Sequence, residues 1–236
     1  MKPILKLRKK QPECWAVVVA AGSSRRMDGV DKLTAELGDS PLLLWSLRAM
    51  DACERITGVV LVVQAERIDE FAALTSGLLK LRQIVAGGAS RTESVSAGLA
   101  ALPASVQLAA IHDAARPLVT PELIERTVRA AAKDGAAAPG LPVKDTIHRV
   151  NGDVTVEAMP RAELTAIQTP QCFDRDLLVG ALHQAARDGA ELTDECAALQ
   201  RLGMRVRVVQ GEERNFKVTT PLDLELARLI VRQETP

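Results

Sequence analysis

Aromatic residues are scarce in this chain of 236 residues: they make up 2% of it, with two Trp, three Phe and no Tyr. That scarcity argues against base-stacking platforms, which hold single-stranded nucleic acid on aromatic rings. Net charge is absent too, because 30 Lys and Arg balance 30 Asp and Glu. No global basic field favours nucleic acid, so a phosphate ligand has to be held locally. Cys14, Cys53, Cys172 and Cys196 lie far apart without a C-x-x-C pair, which indicates neither a zinc site nor a redox motif. Reduced, buried thiols in the cytoplasm are expected. Long apolar runs are missing as well. Trp15 to Ala21 is short and enters Gly22-Ser23-Ser24-Arg25-Arg26, so it reads as a core strand and not as a signal segment, and no membrane partner is expected. Arg25-Arg26 follows the apolar run, the wrong order for a twin-arginine signal.

Two familiar phosphate loops are also lacking. The dinucleotide fingerprint needs G-x-G-x-x-G and the nucleotide-triphosphatase loop needs G-x-x-x-x-G-K-[ST]. Here Gly22 is followed by Ser24 where a second glycine would stand, and Lys32 is followed by Leu33.

What remains is an ordinary globular composition, 47% hydrophobic and 25% charged, enough for one large α/β domain with a substantial core. Strand-like runs (Ala16–Ala21, Val59–Val63, Gln83–Val85, Leu108–His112, Ala136–Pro139, Val206–Val209) alternate with helical patterns (Pro41–Ala52, Ile68–Leu74, Arg91–Leu102, Pro121–Lys133, Arg175–Arg187, Asp194–Leu202, Pro221–Val231). Such alternation predicts a mostly parallel, Rossmann-like sheet flanked by helices. Thr120-Pro121 and Thr220-Pro221 each place a capping hydroxyl before a proline at the first helical position. From Val143 to Met159 the pattern becomes alternating and charged around Asn151-Gly152, a two-residue hairpin signal. This ribbon has no core of its own and needs a surface to pack on, such as a second copy of the chain. The predicted organisation is one domain, residues 1–142 with 163–236, and a protruding β-arm excursion at 143–162 used for dimerisation.

Ligands of open α/β sheets sit beyond the carboxyl ends of the strands. Three clusters stand there. The first runs from Gly22 to Lys32, where small residues let backbone N–H groups approach phosphate oxygens and Arg26 with Lys32 supplies charge; a solvated basic turn is the plain alternative. The second is Gly87-Gly88-Ala89-Ser90-Arg91-Thr92-Glu93-Ser94, where glycines allow close approach and Ser94 can meet a base edge; an ordinary strand-to-helix turn competes with it. The third is His112-Asp113-Ala114-Ala115-Arg116-Pro117, whose Asp113 suits a hydroxyl or a magnesium-nucleotide and whose Arg116 suits an anion. Its alternative is an Asp113–Arg116 ion pair closing a turn, and a structural role is favoured for His112.

In this order and spacing the clusters resemble the 2-C-methyl-D-erythritol 4-phosphate cytidylyltransferase family of isoprenoid-precursor biosynthesis. The similarity runs from about Trp15 to Val231. It includes Pro142-Val143-Lys144-Asp145-Thr146, Thr169-Pro170-Gln171-Cys172-Phe173, Leu192-Thr193-Asp194-Glu195, and Asn215-Phe216-Lys217-Val218-Thr219-Thr220-Pro221-Leu222-Asp223-Leu224. The resemblance implies that Arg26 and Lys32 stabilise the transition state and that Arg161 and Lys217 position the methylerythritol phosphate. It assigns Asp113, Arg116, Thr146 and Thr169 to that substrate's pocket. Ala20, Ala21, Gly22, Gly88, Ser94 and Ala114 fall to the CTP nucleotide. It also implies Mg²⁺ carried mainly by the CTP phosphates, with no metal ligands assigned to the chain, and a homodimer. Four positions depart from the common pattern: Ser24 replaces Gly, Asp31 and Leu33 flank Lys32 where Pro-Lys-Gln is frequent, and Ala89 stands where some members have Asp. Asp31 adds a negative charge beside Lys32.

The implied reaction joins CTP to 2-C-methyl-D-erythritol 4-phosphate and releases pyrophosphate. A ribitol 5-phosphate cytidylyltransferase is the nearest alternative, disfavoured by Ala114-Ala115 after Asp113. A guanylyltransferase acting on molybdopterin shares only Asp31-Lys32. A non-catalytic nucleotide-binding regulator is suggested by Ser24 and Asp31, against the presence of Arg26, Lys32, Arg161 and Lys217 together.

Overall fold

A computed structural model describes residues 11–22 and 31–234. The cluster opening at Ser23 to Arg26, including the candidate catalytic Arg26 and the departure at Ser24, lies outside the described residues.

The sheet is built from β1 (Cys14–Val19), β4 (Gly58–Val63), β5 (Leu81–Ala86), β6 (Leu108–Asp113), β7 (Ala136–Pro142), β10 (Thr165–Ile167), β11 (Gln171–Asp174) and β12 (Arg207–Gln210). A small pair, β2 (Glu36–Leu37) and β3 (Ser40–Pro41), and a second pair, β8 (His148–Asn151) and β9 (Val154–Ala158), stand apart from it. β1 is paired in parallel with β4 on one side and with β6 on the other, and β4 pairs in parallel with β5. β11 enters antiparallel between β6 and β7, β10 runs antiparallel to β7, and β12 is parallel to β7. The sheet is therefore mostly parallel, as predicted. β10 and β11 were not anticipated: each is short, Pro170 lies between them, and a few residues carry too little periodicity to declare a strand.

Both faces of the central strands are buried, which is why β1 and β4 read as unbroken apolar runs. Along β1, Cys14, Ala16 and Val18 enter one core, while Trp15 and Val17 enter the other. The first core is closed by α1 (Leu42–Ala52), α4 (Pro121–Asp134) and α7 (Pro221–Glu234), and the second by α3 (Arg91–Ala100), α5 (Arg175–Arg187) and α6 (Glu195–Arg201). α2 (Ile68–Leu74) adds Phe71 to the first. The predicted caps are formed. Thr120 Oγ1 accepts from Leu123 N–H at 3.1 Å and Thr220 Oγ1 from Asp223 N–H at 3.2 Å.

The hairpin forms in the predicted stretch with its turn one residue later than the Asn151-Gly152 signal: Asn151 pairs with Val154, so Gly152 and Asp153 are the two loop residues. Gly152 has φ of 62°, the left-handed conformation such a turn requires. All residues of β8 and β9 are exposed, among them Val150, Val154 and Val156.

Candidate active site

The chain reverses direction across the sheet between β1 and β6, since β4 and β5 lie on one side of β1 and β6 on the other. A crevice opens at such a switch point. In the register of the two strands Val19 lies beside Asp113. The first cluster and the third are thereby joined, with Ala114 N–H donating to Val19 C=O at 3.1 Å. The end of β5 brings in the second. Gly87 is required there because a Cβ would lie 2.6 Å from the Ala21 Cβ and 2.7 Å from Ser94 Oγ.

The resulting cleft has two lobes. The larger, about 640 Å³, is lined by Ala20, Ala21, Gly22, Lys32, Gly88 and Ser94 among others. The smaller, about 230 Å³, is lined by Arg116, Thr169, Gln171, Thr193 and Asp194. Arg91, Asp113 and Lys217 line both, so these three charges mark the junction.

At that junction Arg91 Nε and Nη2 donate to Asp113 Oδ1 at 3.2 and 3.1 Å, and Lys217 Nζ donates to Asp113 Oδ2 at 2.8 Å. Burial opposes ionisation of Asp113. The two cations overcome it and hold the carboxyl well below the usual carboxylate range. The expected alternative of an Asp113–Arg116 ion pair is not what closes the turn; Arg116 N–H donates to the Asp113 carbonyl at 3.0 Å, while its Nη1 donates to Asn215 C=O at 2.7 Å. Lys217 is likewise no solvated charge. Val218 N–H donates to Ala115 C=O at 2.8 Å, which pins its segment against the end of β6.

His112 is structural. Its Nε2 lies 3.3 Å from Arg116 C=O, an acceptor only, so the proton sits there and Nδ1 accepts from Thr169 Oγ1 at 3.0 Å. Full burial pushes its pKa down to about 4. Thr169 in turn accepts from Asp113 N–H at 3.1 Å, which fixes the main chain of the junction.

In the larger lobe, the Ser94 side chain is 2% exposed and its Oγ donates to Ser90 C=O and accepts from Gly88 N–H. It shapes the glycine loop. Ser90 caps the same turn, its Oγ accepting from Glu93 N–H, and Glu93 Oε2 reaches back to accept from Ala89 N–H. The Ala89 departure thus leaves the loop anchored through its backbone. Ala114 is buried and donates to Val19, and Ala115 is the side chain that reaches the cleft wall.

Asp31 is turned towards Arg67, 2.5 Å from Nη2, and also accepts from Leu33 N–H and Thr34 Oγ1. Burial resists its ionisation, yet these partners hold its pKa below the ordinary value. Lys32, beside it, lines the larger lobe.

Two candidate residues are not brought to this cleft. Thr146 is exposed at the root of the β8–β9 hairpin, and Arg161, exposed at its return, donates from Nη1 to Lys144 C=O at 2.7 Å. Arg91 gained no individual role from sequence, and neither did Asn215, fully buried, whose Nδ2 donates to Thr169 C=O at 2.8 Å, or Glu195, whose Oε1 takes a 2.6 Å bond from Arg91. All three lie in motifs that the sequence displays. These partners of Asn215 and Glu195 are 46 and 104 positions away.

Among the described residues no three His, Cys, Asp or Glu gather into a metal-holding cluster, and Asp113, the carboxylate at the junction, has both oxygens engaged. No helix among them is long and apolar enough to cross a membrane.

A family model described as 2-C-methyl-D-erythritol 4-phosphate cytidylyltransferase matches residues 14–233. The enzyme of that name from Halalkalibacterium halodurans is 43% identical over 225 residues, spanning 94% of this chain and 98% of its own. The crystal structure of the one from Thermus thermophilus superposes with a TM-score of 0.77 at 34% identity, covering 92% of this chain and 98% of that one. The 4-diphosphocytidyl-2C-methyl-D-erythritol synthase of Anaerococcus prevotii superposes with a TM-score of 0.85 at 27% identity, over 94% of this chain and 97% of that one. With the match running through the crevice loops, both lobes and the hairpin, this chain belongs to the 2-C-methyl-D-erythritol 4-phosphate cytidylyltransferase family.

Proposed function

We propose a division of labour between the two lobes for the family's reaction, in which CTP and 2-C-methyl-D-erythritol 4-phosphate give 4-diphosphocytidyl-2-C-methyl-D-erythritol and pyrophosphate. The larger lobe takes CTP through Ala20 to Gly22 and the Gly88 loop, and the smaller takes the sugar-alcohol phosphate beside Arg116 and Thr169. The observation that carries this reading is their meeting at Lys217 and Asp113. A phosphate oxygen attacks the α-phosphorus there while the bond to the leaving pyrophosphate breaks. The attacking phosphate is already ionised, since its second pKa is about 6. No general base is needed, and the buried, neutral His112 with both nitrogens engaged suits that requirement.

The barrier is the mutual repulsion of two polyanions. Lys32 and Arg26 offset charge on the five-coordinate phosphorus and the leaving group, and Lys217 at the junction positions the methylerythritol phosphate. Mg²⁺, when bound, supplies further charge neutralisation on the triphosphate. It would arrive on the CTP phosphates, because Asp113 is committed to Arg91 and Lys217.

The hairpin arm extends the proposal to a homodimer. Its valines remain largely exposed in their own chain, and Thr146 and Arg161 stand at its root outside the lining of their own cleft. Dimerisation would carry both to the neighbour's smaller lobe. Residues 143–162 form the arm in this reading, and 1–142 with 163–236 the nucleotidyltransferase body. The four cysteines are free, buried thiols, which supports a reducing, cytoplasmic setting.

Pyrophosphate release from CTP tests the assignment. Turnover is expected with 2-C-methyl-D-erythritol 4-phosphate and not with ribitol 5-phosphate, nor with GTP in place of CTP. Faster turnover with ribitol 5-phosphate would replace the substrate, and CTP binding without turnover would make the chain a regulator.

A further inference from the structure

Glu195 begins α6 and is 1% exposed. One of its carboxylate oxygens accepts from Arg91 Nη1 at 2.6 Å; the other, Oε2, is buried with no hydrogen-bond partner. A half-satisfied buried carboxylate is costly, and an apolar residue of similar volume commonly serves a fold as well or better. Stability alone therefore does not account for an acid at this position.

Geometry supplies another reason. Arg91 is the first residue of α3, and its guanidinium is gripped at both ends: Nη1 by Glu195, Nε and Nη2 by Asp113. Asp113 in turn holds Lys217. The four side chains form a line of alternating charge from the interior to the junction of the two lobes. Without Glu195 the remaining trio carries an excess positive charge, with an Nη1 donor free beside a cleft meant for polyanions. An arriving phosphate would compete for that donor, and the rigid fork cannot turn towards it without releasing Asp113.

We infer that Glu195 is a positioning residue: by occupying Nη1 of Arg91 it keeps the guanidinium facing Asp113, and so keeps Asp113 and Lys217 in place for the sugar-alcohol phosphate. It touches neither substrate. The inference rests on the reading above in which Lys217, held by Asp113 at the junction of the two lobes, positions the sugar-alcohol phosphate.

Glu195→Gln keeps the shape and an acceptor for Arg91 but removes the charge. Its expected effect is a rise of about tenfold in KM for 2-C-methyl-D-erythritol 4-phosphate with KM for CTP within about twofold, a coupling of the size common within one ion-pair network. A residue that only supported the fold would lower Tm and leave both KM values unchanged in the folded fraction. Arg91→Lys is the companion variant: it keeps a cation opposite the buried acid, which protects folding, but cannot bridge two carboxylates. It should show the same split, and adding Glu195→Gln to it should change KM little further. Wild-type KM values in a folded Glu195→Gln chain, or in Arg91→Lys should Glu195→Gln not fold, would overturn the inference, as would full additivity in the double variant. A wild-type chain that released no pyrophosphate from this pair of substrates would instead sink the functional assignment, and this inference with it.

Discussion

The junction of the cleft and the hairpin arm treat their charged and apolar side chains in opposite ways. At the junction, Asp113 pairs with both Arg91 and Lys217 within one chain, and the segment of Lys217 is pinned to the end of β6 by a backbone bond from Val218 N–H to Ala115 C=O. On the arm, three valines face outward and the only ion pair across its strands, among the described residues, is the exposed Arg149–Glu157. Exposed pairs of that kind contribute little. The first region is finished by its own chain; the second leaves its apolar side chains largely exposed. A site assembled from both needs an organised single-chain half and a half delivered by association.

The largest effect should come from removing a charge from the single-chain half. Lys32→Ala is expected to lower kcat about 10²- to 10³-fold with little change in CTP affinity, because a charge aimed at the pentacovalent phosphorus acts in the transition state. A rise in KM for CTP alone would make Lys32 a ground-state contact. Arg26→Ala should behave in the same way.

Next comes the test of whether the halves belong to different chains. After subunit exchange between Arg161→Ala and Lys32→Ala proteins, random pairing makes about half the dimers mixed, each with one lesion-free site, so about a quarter of wild-type activity should return. No recovery despite demonstrated exchange would place Arg161 in its own chain's cleft and remove the comparison.

A smaller effect probes the buried side through pH. His112 has a folded pKa of about 4 against an ordinary 6.5, so it stays neutral in the fold while the unfolded chain takes up a proton first. Its contribution is fully present above pH 6.5 and is lost as pH falls through 4, amounting to about 3 kcal/mol across that window. Denaturant melts between pH 7 and 4 should show the slope, and His112→Gln should flatten it. An unchanged slope would mean another group titrates there.

The smallest change within a chain is expected on the arm. Val154→Asp with Val156→Asp should alter the stability of the isolated chain by under about 0.5 kcal/mol per substitution, since those side chains are 62% and 63% exposed in their own chain. Association should nevertheless fall, as read by light scattering. An intact dimer would show that the arm is not the interface.

The residue types themselves announced much of this. The β1 and β4 runs were legible because strands buried on both faces need no alternation, and α4 and α7 because Thr-Pro starts carry their caps locally. The hairpin was legible for the same local reason, although its loop residues are Gly152 and Asp153, one position beyond the Asn151-Gly152 signal. Ordered motifs after strand ends pointed to the cleft and to the family. What escaped was whatever depends on distant partners: β10 and β11 are too short to declare themselves away from β6 and β7, and Asp31 was expected to burden Lys32 until Arg67, 36 positions on by their numbering, drew it aside.

By itself, then, the sequence determined the helices and the long strands, the clusters at the strand ends and the chemistry those residue types allow, since each depends on neighbours within a few positions. Only the tertiary structure decided that Asp113 pairs with Arg91 and Lys217 and not with Arg116, that His112 is sealed and neutral, and that Glu195 grips Arg91 from behind. The reason is physical. Ion pairing and proton affinity are set by which charges burial forces together, and those partners come from strand ends and helices that meet only after the sheet has formed.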